Sequence, residues 1–142
     1  MTQKKKELPY LERDISWMYF NRRILQEAAR PHVPLLERMA FLGIYSNNLD
    51  EFFRVRMATQ NRIAECTDKS TSRESEHAKK LIKQISKQNT EYTKIFEETI
   101  RQTTEDLKKE NIYLISDTEV SSEQLDFIRS YYKEKLSGSI IP

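Results

Sequence analysis

The sequence predicts an all-α protein, an elongated helical bundle built on a long antiparallel helical hairpin. Only two glycines and four prolines occur in 142 residues, which disfavours a turn-rich sandwich or barrel. Apolar residues recur every three or four positions, the spacing of one buried helix face. Residues 73–110 contain neither glycine nor proline. As one helix they would extend ~57 Å, too long to fold inside a compact globule of this size.

The first helix is expected to begin at Asp14 or Ser16, because either side chain can accept a hydrogen bond from first-turn amides. Pro31 is expected to end it. Its apolar residues are spaced three or four positions apart and predict one buried stripe. The stripe consists of Trp17, Phe20, Ile24, Leu25 and Ala28.

The second helical segment is predicted over residues 34–66, with Pro34 as its first helical residue. Residues 39–45 are apolar on every side, so this stretch needs more than one packing partner, and the first helix is expected to cover it. Asn48 and Glu51 have the spacing of a capping box. The pattern therefore predicts that the helix kinks or restarts at residues 46–48.

A polar loop at residues 67–72 is expected to join this segment to the long helix at residues 73–110, which completes the antiparallel hairpin. Residues 112–115 are β-prone and predict an extended connector. Ser121 and Gln124 form a second capping box, which predicts a final helix. Its apolar positions are Leu125, Ile128, Tyr132 and Leu136.

Residues 1–9 are predicted to form a flexible basic tail, and residues 10–142 a single helical domain. The lysines of the tail are not followed by an apolar stretch, which argues against a secretory signal. No apolar run approaches the ~20 residues that span a bilayer. Cys66 is the only cysteine, which fits a reducing compartment such as the cytoplasm. The apolar carboxyl end without a polar tail predicts a fragment cut from a longer protein.

Few residues have the spacing of a catalytic or metal site. His32 and His77 are the only histidines, and the absence of a second ligand at helical spacing favours surface positions. Cys66 lacks a base partner and is interpreted as a helix-end packing residue. Asp50 and Glu51 are typical of a first helical turn. A net charge of +2 with 32% charged residues indicates solvated helix faces, not a nucleic-acid surface.

Asn48 is open to two interpretations. Its carbonyl acceptor and amide donor match the amino and ring-nitrogen edge of adenine. An N-cap would use the same atoms, and the residues alone favour the cap. In the neighbouring stretch, residues 52–56, the aromatic side chains are expected to enter the core while the arginines face water.

Two motifs resemble those of a known family. They are Ser-Trp-x-x-Phe-Asn, ending at Asn21, and Ser-Asn-Asn-Leu-Asp-Glu-Phe, ending at Phe52. Their order and spacing resemble the amino-terminal region of the bacterial polyphosphate kinases. The similarity is dense over residues 10–64, and from there to residue 110 it lies in the helical pattern alone. Arg22, directly after the first motif, replaces the acid expected at that position, which we interpret as a surface change.

The resemblance implies the amino-terminal helical domain of a longer phosphotransferase. Such kinases reversibly move the terminal phosphate of ATP onto inorganic polyphosphate, with Mg²⁺ and through a phosphohistidine. The phosphohistidine and the phosphate-binding arginines belong to later domains, so no catalytic or metal-binding residue is expected in this chain, and the isolated chain is predicted to be inactive. The second asparagine of the second motif contacts adenine in the family. Asn48 is accordingly the predicted ATP-binding residue.

The resemblance also implies the partners of the parent enzyme. These are ATP and ADP, inorganic polyphosphate, the other domains of the same chain and further copies in a homo-oligomer, without nucleic acid. The parent would be cytoplasmic or peripheral to the inner face of the membrane. The alternative is a non-catalytic, spectrin-like module for protein–protein interaction, which docks partners on residues 39–45. In that case Asn48 would be buried or capping, and no nucleotide would touch it.

Overall fold

The structure, a computed structural model, describes residues 10–66 and 72–140. The described residues form helices and the segments that connect them, and none forms a strand. This confirms the predicted all-α bundle. They are α1 (Arg13–Ala28), α2 (Leu35–Phe52), a π-helical turn (Phe53–Met57), α3 (Ala58–Ala64), α4 (Ser72–Lys109), α5 (Ser122–Tyr131), a second π-helical turn (Tyr132–Leu136) and a 3₁₀ turn (Ser137–Ser139). The predicted tail at residues 1–9 and the predicted loop up to residue 71 lie outside the described residues.

The chain forms two compact units, residues 1–106 and residues 107–142. The first unit contains α1, α2, α3 and α4 up to Asp106, and the second contains α5. That residues 10–142 form a single domain remains a prediction, since compact units within a chain do not by themselves define separate domains.

The helical hairpin of the first unit is antiparallel, as predicted. Near the start of α2, the Arg38 guanidinium lies 3.5 Å from the Asp106 carboxylate near the end of α4. At the end of α3, the Ala64 carbonyl accepts a hydrogen bond of 2.8 Å from the Ser75 hydroxyl, which lies at the start of α4. The start of α2 thus lies beside the end of α4, and the end of α3 beside the start of α4. Helix α4 therefore runs antiparallel to the segment formed by α2 and α3.

Helix α1 packs along α2, also in the opposite direction. The Ala28 carbonyl at the end of α1 accepts a bond of 2.8 Å from Arg38 Nε, and the Trp17 ring near its start stacks on Phe52 with centroids 4.3 Å apart. Burial of apolar surface at ~25 cal/mol per Å² stabilises the resulting core. This core comprises Ile15, Met18, Leu25, Ala28, Leu42, Tyr45, Phe52, Met57, Leu81, Ile85 and Tyr92.

The apolar stretch at residues 39–45 is covered on one side. Leu42 and Tyr45 belong to the core that α2 shares with α1 and α4, so the stretch has more than one packing partner, as predicted. On the opposite side Ile44 is 47% exposed and Gly43 is also exposed. The expectation of cover all round is therefore wrong for the first unit by itself.

Two helix starts differ from the predictions. Glu12, and not Asp14 or Ser16, caps α1, and its carboxylate accepts a bond of 2.6 Å from the Asp14 amide. Pro34 precedes α2, which begins one residue later, at Leu35. The Asp14 carboxylate cannot serve as a cap because it is turned toward α3, where it makes the contacts described below.

Helix α2 does not break and restart at residues 46–48. It continues through Asn48 to Phe52, and the change from α-helical geometry comes afterwards, at the π-helical turn. Asn48 is therefore not an N-cap, and its side chain is available for contacts with other parts of the protein or with a ligand.

The second unit bears out the predicted cap and connector. The Ser121 hydroxyl accepts a bond of 3.3 Å from the Gln124 amide, and the Gln124 side chain accepts one of 3.0 Å in return. Residues 112–115 have neither helix nor strand. The apolar side chains of α5 and of the π-helical turn that follows it are exposed. They are Leu125, Phe127, Ile128, Tyr131, Tyr132 and Leu136. No described helix is both long and apolar enough to cross a membrane.

Candidate functional site

The first unit contains a cavity of about 420 Å³ between α1 and the stretch of chain from the end of α2 to α3. Small-molecule sites in proteins occupy ~300–1,000 Å³, so the cavity has the size of a ligand site. Its walls carry mainly aromatic, amide and charged side chains, with one valine and one threonine. They are Arg13, Asp14, Trp17, Phe20, Asn48, Glu51, Phe52, Val55, Arg56, Thr59 and Gln60.

Asn48, the predicted ATP-binding residue, is half-buried and lines this cavity. Its Nδ2 donates to Oδ1 of Asn21 at 3.2 Å, and Nδ2 of Asn21 donates to the Tyr45 carbonyl at 3.1 Å. Within the described residues the Asn48 side chain makes no further hydrogen bond. It therefore keeps one acceptor, Oδ1, and one amide hydrogen for a ligand.

Aromatic rings form the apolar walls of the cavity. Trp17 stacks on Phe52 with an interplanar angle of 13°, and Phe53 meets the edge of Phe52 at 5.8 Å between centroids. Phe52 is buried and holds Trp17 in place. Phe20 is 59% exposed at the cavity, so its assignment to the buried stripe of α1 is wrong.

Charged side chains line the cavity toward α3. The Asp14 carboxylate is 1% exposed and accepts a bond of 3.0 Å from Gln60 Nε2. The guanidinium groups of Arg56 and Arg13 lie 3.6 Å and 3.8 Å from it. Together with Glu51 the walls carry two cations and two anions, so the formal charges of the cavity cancel.

A π-helical turn, Phe53–Met57, shifts the helical register beside the cavity, since such a turn holds more residues than an α-helical one. Arg54 stays exposed and pairs with Asp50 at 2.9 Å. Arg56 is half-buried and faces Asp14. The expectation that these arginines face water is thus confirmed for Arg54 and holds in part for Arg56, whose side chain is 38% exposed and also contacts Asp14.

Arg22 is not a surface change, contrary to our interpretation of the first motif. Its guanidinium carbon lies 5.3 Å from the centre of the Tyr92 ring, and its Nε is buried. Burial raises the pKa of Tyr92, and the nearby Arg22 charge acts in the opposite direction. This side of α1 faces α4, so the Arg22 side chain is only half-exposed.

The other candidates from the sequence lie outside the cavity lining or differ from expectation. His32 and His77 are exposed, as predicted. Cys66 follows α3 and is exposed, so its assignment as a packing residue is wrong. Asp50 and Glu51 lie in the last turn of α2 and not in a first turn. Within the described residues, no group of three His, Cys, Asp or Glu side chains could hold a metal ion.

Tyr45 lies beneath the site and is 2% exposed. Burial of its phenol, followed by the influence of Tyr92, raises the pKa of Tyr45 from 10.0 to about 12. A folded-state pKa above the unfolded value means that the folded protein holds this proton more tightly. The corresponding stability is fully present below pH 10 and is lost as the pH rises toward 12.

We expect this titration to lower the free energy of unfolding by about 1.4 kcal/mol at pH 11, one pH unit above the unfolded pKa. Urea unfolding between pH 9 and about 12 measures it. Tyr45→Phe should remove this part of the pH dependence. Tyr113→Phe, at an exposed position, is the matched control and should not. An equally steep decline in Tyr45→Phe would contradict the assignment.

The sequence interpretation missed Phe20 and Asn21 as site residues. Asn21 falls four positions after Trp17 and four before Leu25, within the predicted apolar stripe. An amide at such a position needs a hydrogen-bond partner inside the protein, because an unpaired buried amide is costly. This signal could have indicated the contact with Asn48. Nothing in the helical spacing distinguishes Phe20 from a core residue.

Comparison with known proteins shows the family. The profile described as "Polyphosphate kinase N-terminal domain" matches residues 10–115. The chain is 38% identical to "Polyphosphate kinase" of Escherichia coli K12 and of Salmonella typhimurium over 135 residues, and 34% identical to that of Vibrio parahaemolyticus over 137. Each match covers 94% of this chain and 19% of the relative, so the chain spans about a fifth of their length. The resemblance carried by the two motifs is confirmed, and the chain belongs to the polyphosphate kinase N-terminal domain family.

Proposed function

We propose that this domain binds the adenine of ATP within a polyphosphate kinase, whose other domains reversibly transfer the terminal phosphate to inorganic polyphosphate. The reaction is proposed from that of the related polyphosphate kinases, as their name states it. The role of this domain is proposed from one observation, that the Asn48 amide lines a cavity of ligand size with an acceptor and a donor unused.

The cavity suits an adenine base in polarity and charge. Adenine needs an acceptor for its amino group and a donor for the adjacent ring nitrogen, and Asn48 has both. Trp17 and Phe20 provide aromatic surface for the faces of the base. Because the charges of the cavity cancel, it suits an uncharged base better than a triphosphate. The phosphates are therefore expected to point out of the cavity, toward other domains.

Holding the base serves the reaction through alignment. Phosphoryl transfer depends mainly on positioning and on stabilising charge, so orientation of the nucleotide contributes to the rate. In this proposal the phosphohistidine, the phosphate-binding arginines and Mg²⁺ belong to other domains. His32 and His77 are outside the cavity lining. The parent enzyme acts as a cytoplasmic homo-oligomer, in solution or at the inner face of the membrane.

The domain is also proposed to pack against the catalytic domains. In the second unit Phe127 is 70% exposed, and its ring stacks on Tyr131 with centroids 6.3 Å apart. In the first unit Leu36 and Ile44 are exposed on α2. Exposed apolar side chains that lie together, as Phe127 and Tyr131 do, are typical of a surface that contacts other protein. A module for protein–protein interaction would use the same surfaces, so Asn48 separates the two hypotheses.

We expect Asn48→Ala in the full-length kinase to raise KM for ATP, up to roughly tenfold, because a lost hydrogen bond costs ~0.5–1.5 kcal/mol. The value of kcat should fall by a smaller factor, through poorer alignment of the phosphates, since the adenine contact itself is the same in the bound substrate and in the transition state. Dependence on polyphosphate length should also stay the same. Steady-state kinetics with ATP titrated at saturating polyphosphate measure all three quantities.

Asn47→Ala is the matched control. Asn47 is the neighbouring asparagine of the same helix, is exposed and is outside the cavity lining. Its replacement should leave KM for ATP unchanged. If both variants keep the KM of the wild type, the nucleotide role of this domain is refuted and the interaction module is the better explanation.

A further inference from the structure

Asn21 is 2% exposed, and its two hydrogen bonds leave its amide one orientation. The backbone carbonyl of Tyr45 can only accept, so the Nδ2 of Asn21 must face it, at 3.1 Å. The Oδ1 of Asn21 then points the other way, where it accepts from Nδ2 of Asn48 at 3.2 Å. A backbone carbonyl thus orients Asn21, and Asn21 orients Asn48.

This orientation determines what Asn48 offers to a ligand. A free asparagine amide can turn over, which exchanges its oxygen and nitrogen while its shape stays nearly the same. With Nδ2 held toward Asn21, the Asn48 oxygen is left without a partner within the described residues. An acceptor at this point matches the 6-amino group of adenine and repels the 6-oxo group of hypoxanthine or guanine.

We propose that Asn21 is a positioning residue, which makes the site selective for 6-amino purines over 6-oxo purines by holding Asn48 in one orientation. The inference rests on the proposed function, in which Asn48 contacts the base. It also gives the two sequence motifs a physical connection. The last residue of Ser-Trp-x-x-Phe-Asn is bonded directly to the second asparagine of Ser-Asn-Asn-Leu-Asp-Glu-Phe.

The test compares dissociation constants for ATP and inosine triphosphate, measured by calorimetry on the full-length kinase without polyphosphate and without Mg²⁺, so that no phosphate is transferred to the enzyme. The wild type should bind ATP about tenfold or more tightly than inosine triphosphate, because the 6-oxo group leaves the site's polar groups unpaired. Asn21→Leu has a similar volume but lacks the acceptor, so Asn48 can turn over. In this variant the preference should fall toward one, by about the same factor.

Asn21→Asp is the matched variant, because a carboxylate still accepts from Asn48 Nδ2 but cannot donate to the Tyr45 carbonyl. Its preference for ATP should stay within about twofold of the wild type. Both variants lose the bond to Tyr45, so thermal unfolding should show a loss of stability in both. A ratio of two affinities on the same folded protein is insensitive to that loss. Asn21→Ala replaces Asn21→Leu if leucine prevents folding.

Each outcome has a defined meaning. The inference is wrong if the wild type binds ATP and inosine triphosphate equally well. It is also wrong if Asn21→Leu and Asn21→Asp both keep the preference for ATP, or both lose it. Its failure is distinguishable from failure of the proposed function. If Asn48→Ala leaves ATP binding unchanged, the adenine contact itself is wrong. If Asn48→Ala weakens ATP binding while Asn21→Leu keeps the preference, only the role of Asn21 is wrong.

Discussion

Arg38→Met is expected to lower the free energy of unfolding by about 1.5–3 kcal/mol, the range for losing a buried hydrogen bond from a charged group. The Arg38 side chain is 7% exposed and joins three helices. Its Nε donates to the Ala28 carbonyl of α1 at 2.8 Å, and its guanidinium lies 3.5 Å from the Asp106 carboxylate of α4. Methionine keeps an apolar stem of similar length but donates to neither group. The buried Ala28 carbonyl then loses a charged donor, whereas the Asp106 carboxylate, which is 25% exposed, still accepts a bond of 3.2 Å from Gln102.

Urea unfolding followed by tryptophan fluorescence measures this effect in the first unit, because Trp17 is the only tryptophan of the sequence. Arg30→Met is the matched control. Arg30 pairs with Glu27 at 3.1 Å, but both side chains are more than one-third exposed. Its replacement should cost less than ~1 kcal/mol, as for other surface ion pairs. Equal losses in the two variants would contradict the joining role of Arg38.

The arrangement of helices was predictable because it follows from apolar spacing over long stretches. The helix predicted at residues 73–110 is α4, Ser72–Lys109, and agrees within one residue at each end. No glycine or proline interrupts these residues, so local preference and burial favour the same structure. The antiparallel hairpin then followed from length, since a single helix of this size must pack against a partner of similar extent.

Local signals failed where contacts between helices outweigh them. The capping-box spacing of Asn48 and Glu51 is genuine, but α2 continues through both residues. Leu49 and Phe52 pack in or against the core, and Asn48 bonds to Asn21 of α1. These contacts favour the uninterrupted helix over a local cap, whose energy is only ~1 kcal/mol. The π-helical turn that follows had no recognisable sequence signal.

The site was predictable at one residue and no further. Asn48 was predicted from the resemblance to the family. The residues around it are brought together by contacts between residues that are distant in sequence. Asn21 and Asn48 are 27 positions apart, and Asp14 and Gln60 are 46 apart. Such contacts require the register of α1 against α2 and α3. Apolar spacing predicts which face of a helix is buried, but not which residue of the neighbouring helix it meets.

Phe20→Ala is expected to weaken ATP binding to the full-length kinase by about 1–3 kcal/mol, the usual cost of removing an aromatic ring on which a base stacks. Phe20 is 59% exposed at the rim of the cavity, one helical turn from Trp17. An apolar side chain in this position contributes little to the core, so the free energy of unfolding should change by less than ~0.5 kcal/mol. Calorimetric titration of ATP and urea unfolding measure the two effects.

Tyr19→Ala is the control for Phe20→Ala, because Tyr19 is a neighbouring exposed aromatic residue outside the cavity lining. It should leave ATP binding unchanged, and an equal loss in both variants would contradict a stacking role. Stacking involves the faces of a base and not its exocyclic groups. Phe20→Ala should therefore weaken ATP and inosine triphosphate by the same factor, whereas Asn21→Leu should change the ratio between them. The two aspects of recognition, affinity from the ring and selectivity from the paired amides, can thus be measured separately with the same two nucleotides.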